Sequence, residues 1–430
     1  MSPCSIRKVY LFFVFRGLRW RDIHTDQNFI YYFKMRDKTN QRLKALFISG
    51  WYPNRYDPMF GLFVAKHAEA ARLYCDTAVI YVHSVDNQDV QTELTDQMED
   101  GVNVIRIYYP KPQMRFLSTF QKAIAYFFNI KKAYKYYKEK HGKPDIIHAN
   151  ILTRAAYAAM KLADKDGIPF VVTEHWSRYL PTRNEYHGFL RKMLSERAIS
   201  KAAAFMPVSE NLRQAMEVQK LHCKNTKVVA NVVDDVFFEN FSTEFPNTEK
   251  KHIIHVSCFD ERAKNITGIL DVIKRISEFR QDFYLDIVGD GPDRNQIWNH
   301  ANELGLTDRF VFFKGLYKKE ELSKAYASAH FLLMFSNYEN APVVINEAFA
   351  AGIPVVATRV GGIAEVVSDQ NGMLVDAGDE QQLEQTILNM LACVQDYDKT
   401  QIHNFAREHF SMEYIGKQLF NVYRRALNLV

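Results

Sequence analysis

The chain has 430 residues, which exceeds one usual hydrophobic core and predicts two or three domains. Apolar residues make up 47% and charged residues 24%, the balance of an ordinary globular protein, which excludes a chain disordered across its body. The net charge of +5 favours weak attraction to acidic membranes, and no patterned nucleic-acid module accompanies it.

Residues 1–42 are predicted to form a poorly ordered N-terminal extension. The apolar run at residues 10–15 is too short to span a bilayer, and arginines follow it. No small-residue cleavage site of a signal peptide comes next. A start assigned upstream in error, with Met35 as the true initiator, is one explanation for such an extension. The alternative is a basic and aromatic segment that lies on a membrane surface.

The first strand is predicted at residues 43–49, before a loop at residues 50–61 and a helix at residues 62–74. The loop is too long and too rich in Gly, Pro and aromatic residues for a simple connector. Two later buried strands end in His148 and His175, where parallel sheets place their ligands. A histidine in an apolar context is also often structural, so both interpretations stay open for His148.

Residues 116–140 interleave aromatic and aliphatic side chains with six lysines. Such a basic amphipathic helix can lie on anionic lipid. It can equally pack on a core and leave its basic face in solvent, which is the interpretation we prefer.

A linker between domains is predicted at residues 241–250, which are rich in Ser, Thr, Asn, Pro and Glu. Apolar runs that alternate with helix-length segments along both halves predict an α/β architecture with parallel sheets. After the strand at residues 284–288, the abrupt turn from Gly289 to Pro292 would let a nucleotide approach the backbone. It lacks the third glycine of a dinucleotide fingerprint, so a hydride-transferring enzyme is disfavoured.

Residues 331–357 predict a strand, a polar loop, a helix with Pro342 at its first position and a second buried strand. The N–H groups near Ala341 and Val343 at the helix start suit an anion such as a diphosphate. Glu339 and Glu347 lie eight residues apart around this helix start. Glu339 could accept hydrogen bonds from sugar hydroxyls and Glu347 from a ribose.

This order of residues resembles the E-x7-E signature of the retaining glycosyltransferases called family 4. The pattern continues in A-x-G-x-P-V at residues 350–355 and in Gly-Gly-x-x-E at residues 361–365. The resemblance extends over about residues 44–425. It implies the GT-B fold, in which two Rossmann-like domains face each other across a cleft and the C-terminal helix crosses back to the N-terminal domain.

Four segments are predicted: the extension at residues 1–42, a domain at 43–240 that the resemblance implies binds the acceptor, a domain at 241–411 that it implies binds the nucleotide sugar, and the returning helix at 412–430. The implied catalytic residues are Glu339, His175 and Lys264. The implied donor-binding residues are Arg262, Lys264, Gly289, Glu339, Asn340, Ala341, Pro342, Val343 and Glu347. The implied residues of the acceptor side or cleft are Gly61, His148 and His175.

Two positions carry the positive charge that this family uses on the donor diphosphate. Lys264 matches the family's lysine. Cys258 occupies the family's arginine position, so Arg262 is the best substitute for the second charge.

No metal site is predicted. The five cysteines (Cys4, Cys75, Cys223, Cys258 and Cys393) show no C-x-x-C spacing and fit a reducing cytoplasm. A D-x-D triplet at residues 396–398 lies far from the donor motifs and is more typical of a surface, and the resemblance also implies no essential metal.

The implied activity is transfer of a sugar, with retention, from a nucleotide-diphosphate sugar to a hydroxyl of a glycan or lipid-linked glycan, as in polysaccharide biosynthesis. No cofactor and no nucleic acid are implied, and the enzyme would be cytoplasmic, with peripheral contact to the inner face of an anionic membrane. A nucleotide-sugar epimerase of the same fold and a non-catalytic nucleotide-sugar-binding subunit remain alternatives. The intact glutamate pair and Lys264 argue against lost activity.

Overall fold

The computed structural model describes residues 42–87, 89, 91–112, 118–183 and 185–429. The predictions for the N-terminal extension therefore lie outside the described residues, apart from Arg42. Across the described ranges, no helix is long and apolar enough to cross a membrane.

The described part of the N-terminal domain contains a seven-stranded sheet in the order β3-β4-β2-β1-β5-β6-β7. Strand β3 runs antiparallel to β4, and the other neighbours are parallel. The strands are β1 (Lys44–Ser49), β2 (Asp76–Val85), β3 (Glu93–Glu99), β4 (Val102–Pro110), β5 (Ile146–Asn150), β6 (Phe170–Glu174) and β7 (Ala204–Pro207). The helices are α1 (Leu62–Arg72), α2 (Ser118–His141), a π-helix (Leu152–Ala156), α3 (Tyr157–Asp166), a 3-10 turn (Ser177–Tyr179), α4 (Phe189–Lys201) and α5 (Glu210–Val218).

The first sheet is buried on both faces, which is why its central strands are almost continuously apolar. Successive side chains of a strand point to opposite faces, so neighbours in β1 enter different cores. Leu46 packs in the core that includes α2, α3 and α4, and Phe47 packs in the core beneath α1. Helix α2 contributes Tyr126 and Tyr134 to the first of these cores, so the preferred interpretation of the basic helix is correct for this face.

Residues 251–375, all described, contain a six-stranded parallel sheet in the order β10-β9-β8-β11-β12-β13. The strands are β8 (Lys251–Cys258), β9 (Phe283–Asp290), β10 (Val311–Gly315), β11 (Phe331–Leu333), β12 (Val355–Thr358) and β13 (Gly372–Val375). The helices of this half are α6 (Val236–Glu239), α7 (Glu261–Lys264), α8 (Ile266–Ser277), α9 (Arg294–Glu303), α10 (Lys319–Ser328), α11 (Val343–Ala350), α12 (Glu380–Cys393), α13 (Lys399–Phe410) and α14 (Met412–Ala426). Two 3-10 turns lie at Ile363–Glu365 and Val394–Asp396.

The C-terminal helix α14 packs against α1 of the N-terminal domain. Gly416 permits this close approach, because a Cβ there would lie 2.3 Å from the carbonyl oxygen of Ala70. Tyr74 and Phe420 stack with ring centroids 5.7 Å apart. Two Rossmann-like domains joined by a returning helix are the predicted GT-B architecture, so the fold prediction is confirmed.

Two predicted boundaries differ from the structure. Phe237 and Phe238 of α6 pack in the core of the second domain, so that domain begins near Val233 and not after residue 240. The polar stretch at residues 241–250 is a loop before β8, and its composition reflects exposure. Pro342 precedes the helix, with an extended ψ of 122°, and the helix begins at Val343.

Candidate active site

Both sheets reverse their strand order at the centre, between β1 and β5 in the first and between β8 and β11 in the second. Open parallel sheets bind ligands at that point, beyond the carboxyl ends of the strands. The segments that follow β8 and β11 are residues 259–265 and 334–342. They contain most of the predicted donor-binding residues.

Backbone and side-chain hydrogen bonds hold these two segments together. Asn337 donates its backbone N–H to the carbonyl of Ala263 at 2.8 Å and its amide to the carbonyl of Arg262 at 3.1 Å. The next residue of the short helix, Lys264, thereby reaches the loop and forms an ion pair with Glu339. Two residues predicted from separate motifs thus meet at the central point of the sheet.

The Lys264–Glu339 pair is largely buried, with side-chain exposures of 14% and 10%. Ser336 donates a further hydrogen bond to the Glu339 carboxylate at 3.0 Å. Burial disfavours the charged form of Lys264, but Glu339 outweighs that effect and raises the pKa of Lys264 above its usual value. The structure therefore holds a protonated amine and a carboxylate side by side, near the N-terminus of α11.

Glu347 lies inside α11, where Tyr326 donates a hydrogen bond to its carboxylate at 3.3 Å. Burial raises the pKa of Glu347 to about 7, against the opposing effect of Tyr326, and Asp234 adds to the rise. Glu347 therefore changes protonation near neutral pH, so its ability to accept hydrogen bonds depends on pH.

Glycines let neighbouring segments approach the donor loop, which is the segment after β11 at residues 334–342. Gly361 has φ +57°, and a Cβ on it would lie 2.1 Å from the carbonyl oxygen of Glu339. Gly362 donates its N–H to the carbonyl of Asn340 at 2.7 Å. Gly289 is required by packing of the strands, because its Cβ would lie 1.9 Å from the carbonyl oxygen of Ser257.

His175 is the predicted catalytic residue of the N-terminal domain, and the structure brings it to the donor loop. Its carbonyl accepts a hydrogen bond from the side-chain amide of Asn340 at 2.8 Å. Its ring contacts Asn231 through Nδ1 at 3.1 Å and Asn150 through Nε2 at 3.4 Å. Burial holds the pKa of His175 well below its usual range, so the ring is neutral at neutral pH.

The backbone around His175 is held by the buried carboxylate of Glu174. That carboxylate accepts N–H groups from Leu152 at 2.7 Å and from His175 and Trp176 at 2.8 Å each. Leu152 begins the π-helix, and Ile151 before it has φ +73°. Strained β-branched residues and π-helices are enriched at functional sites. The segment from Ile151 to Ala156 is therefore a further candidate for the acceptor side of the site.

The donor loop and the Gly-Gly-x-x-E motif also contact the N-terminal domain, and their partners there are residues that the sequence motifs do not identify. Ser209 donates its hydroxyl to the side-chain oxygen of Asn340 at 3.0 Å, and Asn231 donates its amide to the carbonyl of Ala341 at 3.0 Å. The Glu365 carboxylate accepts the first N–H groups of α5, from Glu210 at 2.8 Å and from Asn211 at 2.6 Å. Glu365 lies in the Gly-Gly-x-x-E motif, and Ser209 has the sequence signature of a helix N-cap.

Two residues predicted to line the cleft have structural roles instead. His148 is fully buried, and its ring nitrogens are both engaged, Nδ1 with the Tyr423 hydroxyl and Nε2 with the Thr173 hydroxyl, each at 2.7 Å. It fastens α14 to the sheet, which corrects its predicted place in the cleft. At Gly61, a Cβ would lie 2.6 Å from the backbone of Trp51, so the close approach there is made by the protein itself.

Within the described residues, no group of three or more His, Cys, Asp or Glu side chains could hold a metal ion. The chain has a second D-x-D triplet besides the one at residues 396–398, at Asp164 and Asp166. Its carboxylates pair with Lys201 at 3.0 Å and Lys138 at 2.7 Å.

Arg262, the predicted second positive charge for the donor diphosphate, is exposed at the start of α7.

Two family models match adjacent parts of the chain. The model described as "Glycosyltransferase Family 4" matches residues 68–237, and the model described as "Glycosyl transferases group 1" matches residues 236–407. Together they span both Rossmann-like domains.

Curated relatives belong to the same group. N-acetyl-alpha-D-glucosaminyl L-malate synthase of Bacillus anthracis is 31% identical over 163 residues, which cover 36% of this chain and 42% of the relative. Sulfoquinovosyl transferase SQD2 of Arabidopsis thaliana is 26% identical over 257 residues, or 55% of this chain and 48% of the relative. The match thus spans less than half the length of each. The putative teichuronic acid biosynthesis glycosyltransferase TuaC of Bacillus subtilis is 23% identical, over 80% of this chain and 88% of its own.

Solved structures share the fold. Sucrose-phosphate synthase from Thermosynechococcus elongatus has a TM-score of 0.71 at 20% identity and covers 90% of this chain and 100% of its own. HepE from Anabaena, in complex with UDP, has a TM-score of 0.64 at 17% identity over 88% of this chain and 99% of its own. Since the two family models together match residues 68–407 and the fold is that of these structures, the chain belongs to the family 4 glycosyltransferases of GT-B fold.

Proposed function

We propose that this protein is a retaining glycosyltransferase that moves a sugar from a nucleotide-diphosphate sugar to a hydroxyl of a glycan or lipid-linked glycan. The observation that carries the proposal is the buried Lys264–Glu339 pair beside the N-terminus of α11. The presence of UDP in the HepE structure, which has the same fold, supports a nucleotide donor.

The C-terminal domain holds the donor in this proposal. Negative charge builds up on the departing diphosphate in the transition state, and donors already aimed at it lower the barrier. Lys264, Arg262 and the first N–H groups of α11 supply that stabilisation. Glu339 accepts hydrogen bonds from the transferred sugar, and Glu347 accepts them from the ribose.

The N-terminal domain holds the acceptor, with His175 nearest to the donor loop. Retention requires the acceptor hydroxyl to approach the face of the sugar from which the diphosphate departs. The neutral ring has one N–H, and Nδ1 uses it towards the Asn231 oxygen, so Nε2 has a lone pair that can accept a hydrogen bond from the acceptor hydroxyl.

A panel of nucleotide sugars, screened by thermal shift and then by transfer to hydroxyl acceptors, tests the donor and the reaction class. The configuration of the product, read by NMR, tests retention. Activity that survives EDTA is expected, since the lysine and the helix N-terminus neutralise the diphosphate. Activity lost to EDTA and restored by Mg²⁺ or Mn²⁺ would contradict that role, and release of an altered free sugar without acceptor would identify an epimerase.

Peripheral contact with an anionic membrane is the second part of the proposal. Helices α2 and α3 enclose a groove of about 650 Å³ on the outer face of the N-terminal domain. Its lining combines aromatic and aliphatic side chains with five lysines: Lys131, Lys135, Lys138, Lys161 and Lys165. Ile124 and Phe128 of α2 are 53% and 67% exposed. Exposed apolar side chains next to lysines match the chemistry of an anionic bilayer surface.

Flotation with vesicles tests this contact. The proposed membrane surface is the anionic inner face of a membrane, for which phosphatidylglycerol vesicles stand in. Each lysine near an anionic surface is worth about 1 kcal/mol, so Lys161→Glu with Lys165→Glu should abolish binding to phosphatidylglycerol vesicles. Lys324→Glu, an exposed position on α10, is the matched control. Equal flotation of all variants would refute the membrane surface without touching the donor assignment.

A further inference from the structure

Arg178 lies at the ligand-binding edge of the N-terminal sheet. It belongs to the 3-10 turn that follows β6, and its guanidinium stacks over Trp176, with Cζ 3.1 Å from the ring centroid. Trp176 in turn contacts Trp51, which follows β1, at a centroid distance of 4.7 Å. Residues that follow neighbouring parallel strands meet at the edge where such sheets bind ligands.

The guanidinium is partly buried and has no counter-ion among the described residues. Its Nε is buried without a hydrogen-bond partner. The carboxylates that act on it electrostatically are committed elsewhere. Glu174 accepts three backbone N–H groups, and Glu185 pairs with Arg183 at 2.7 Å.

This environment is unfavourable for an isolated cation. Burial lowers the pKa of Arg178, and the positive charge of Arg191 on α4 lowers it as well. A charge removed from water costs several kcal/mol unless an anion or hydrogen bonds compensate it, and the cation–π contact with Trp176 recovers only part of that cost. Comparable arginines in this protein are paired, as Arg106 is with Glu99. An unpaired guanidinium at a ligand-binding edge therefore points to an anion that arrives with a ligand.

The same segment reaches the donor loop. His175, three residues before Arg178, contacts Asn340, and the Arg183 guanidinium lies 4.5 Å from the ring centroid of Tyr338. A ligand that engages Arg178 is thereby placed beside the proposed donor sugar. The planar guanidinium can bind the two oxygens of a phosphate or a carboxylate at once.

We propose that Arg178 binds an anionic group, phosphate or carboxylate, carried by the acceptor next to the hydroxyl that receives the sugar. That the ligand is a sugar acceptor rests on the proposed function, but binding of an anion at Arg178 does not depend on sugar transfer.

Binding of inorganic phosphate tests the site without any reaction. Tryptophan fluorescence and thermal unfolding are measured in a Lys264→Ala background, so that the proposed donor site does not compete. Phosphate should change both signals in this parent and with the control Arg197→Gln, an exposed arginine of α4. Arg178→Ala should abolish the response, and Arg178→Lys should keep part of it. A parent that does not respond, or an Arg178→Ala variant that responds as the parent does, overturns the proposal.

Pairs of acceptors then test specificity in the otherwise unmodified enzyme. Glycerol 3-phosphate is compared with glycerol, glucuronate with glucose, and phosphatidylglycerol with diacylglycerol, both presented in phosphatidylcholine vesicles, which separates soluble phosphate, carboxylate and lipid sources. Arg178→Ala should lower kcat/KM for the anionic members about ten- to a hundredfold, the cost of a lost charged hydrogen bond. The neutral members should be unaffected. An equal loss for both members of each pair would show a packing role and refute the anion site, whereas absence of transfer to any acceptor would refute the proposed function while the phosphate result still decides the site.

Discussion

Glu347 links donor binding to pH in a way that one substitution can isolate. Its side chain is half-buried on α11, where desolvation raises the carboxyl pKa to about 7, and its proposed role is to accept hydrogen bonds from the ribose. Two titratable groups face it. The pKa of Asp234 is lowered despite burial, because Lys66 and Lys319 pair with it, and the pKa of Tyr326 is raised by burial. Neither group titrates between pH 6 and 8. Among these three groups, Glu347→Gln therefore removes the only protonation change that can affect donor binding in this range.

The size of the effect follows from the ionised fraction. With a pKa of about 7, about nine-tenths of Glu347 is ionised at pH 8 and about one-tenth at pH 6. If the ionised form is the competent one, the apparent dissociation constant of a nucleotide sugar rises about tenfold from pH 8 to pH 6. The Gln variant should bind more weakly at pH 8, by about 1.5–3 kcal/mol, and should lose the pH dependence.

Stability should change in the opposite direction. The folded pKa lies above the unfolded value, so stabilisation by the bound proton is complete below pH 4.5 and is lost as the pH rises through about 7. The difference corresponds to roughly 3 kcal/mol, and Glu347→Gln should remove this slope from the free energy of unfolding. Calorimetric titration with UDP-glucose and GDP-mannose, with chemical unfolding at pH 5, 6, 7 and 8, measures both. A wild-type donor affinity that is flat across pH 6–8, or a Gln variant with wild-type affinity at pH 8, would refute the reasoning.

Three further substitutions separate chemistry, domain contact and packing. Lys264→Ala should raise the barrier of transfer by about 2–4 kcal/mol, as loss of one oxyanion donor does, and a wild-type kcat in a stopped assay would dismiss this role. Glu365→Ala should increase hydrogen exchange at the amides of Glu210 and Asn211, because these N–H groups lose their acceptor. It should also lower kcat about two- to fivefold, since a carboxylate at an exposed helix N-terminus stabilises this domain contact by about 0.3–1 kcal/mol. Exchange equal to that of a Glu303→Gln control would show that the contact does not form in solution. His148→Ala should destabilise the fold by about 3–5 kcal/mol, since it opens a cavity and leaves the Tyr423 hydroxyl without this partner, while donor affinity stays the same; an unchanged Tm would contradict its structural role.

The donor loop is the part of the site that the sequence predicts best, and the reason is local. The strand, the loop, the helix and the second strand at residues 331–358 follow from apolar runs, Pro342 and Gly352, all within one βαβ unit. The ion pair between Glu339 and Lys264 joins motifs 75 residues apart, and only the family resemblance placed both of them on the donor. The order of β8 and β11 as neighbours in the sheet brings them together.

Histidines show where such reasoning fails. The sequence predicts both His148 and His175 at the ends of buried strands, but His148 is the third residue of β5 and His175 follows β6. The structure separates them by their partners: His148 meets Tyr423 from the C-terminal helix, and His175 meets Asn231 and the donor loop. No local pattern states which element will cover a strand end, because a helix 275 residues away in sequence supplies the partner of His148.

The sequence also does not predict the contacts between the two domains. The strength of these contacts decides whether the cleft between the domains can open. Asn340 joins the donor loop to Ser209 and His175, and Glu365 joins the second glycine motif to the start of α5. Glu365 is exposed, so water can replace its bonds at small cost, whereas the Asn340 bonds are buried and exchange for water only when the domains separate. A large apolar contact would fix the domains together, whereas this arrangement can open for donor and acceptor to enter and can close to bring His175 to the donor loop. The residues that define the closed site are therefore polar side chains with modest individual energies, and Asn340→Ala should lower kcat more than it weakens donor binding. Equal effects on both would show that Asn340 serves the donor alone.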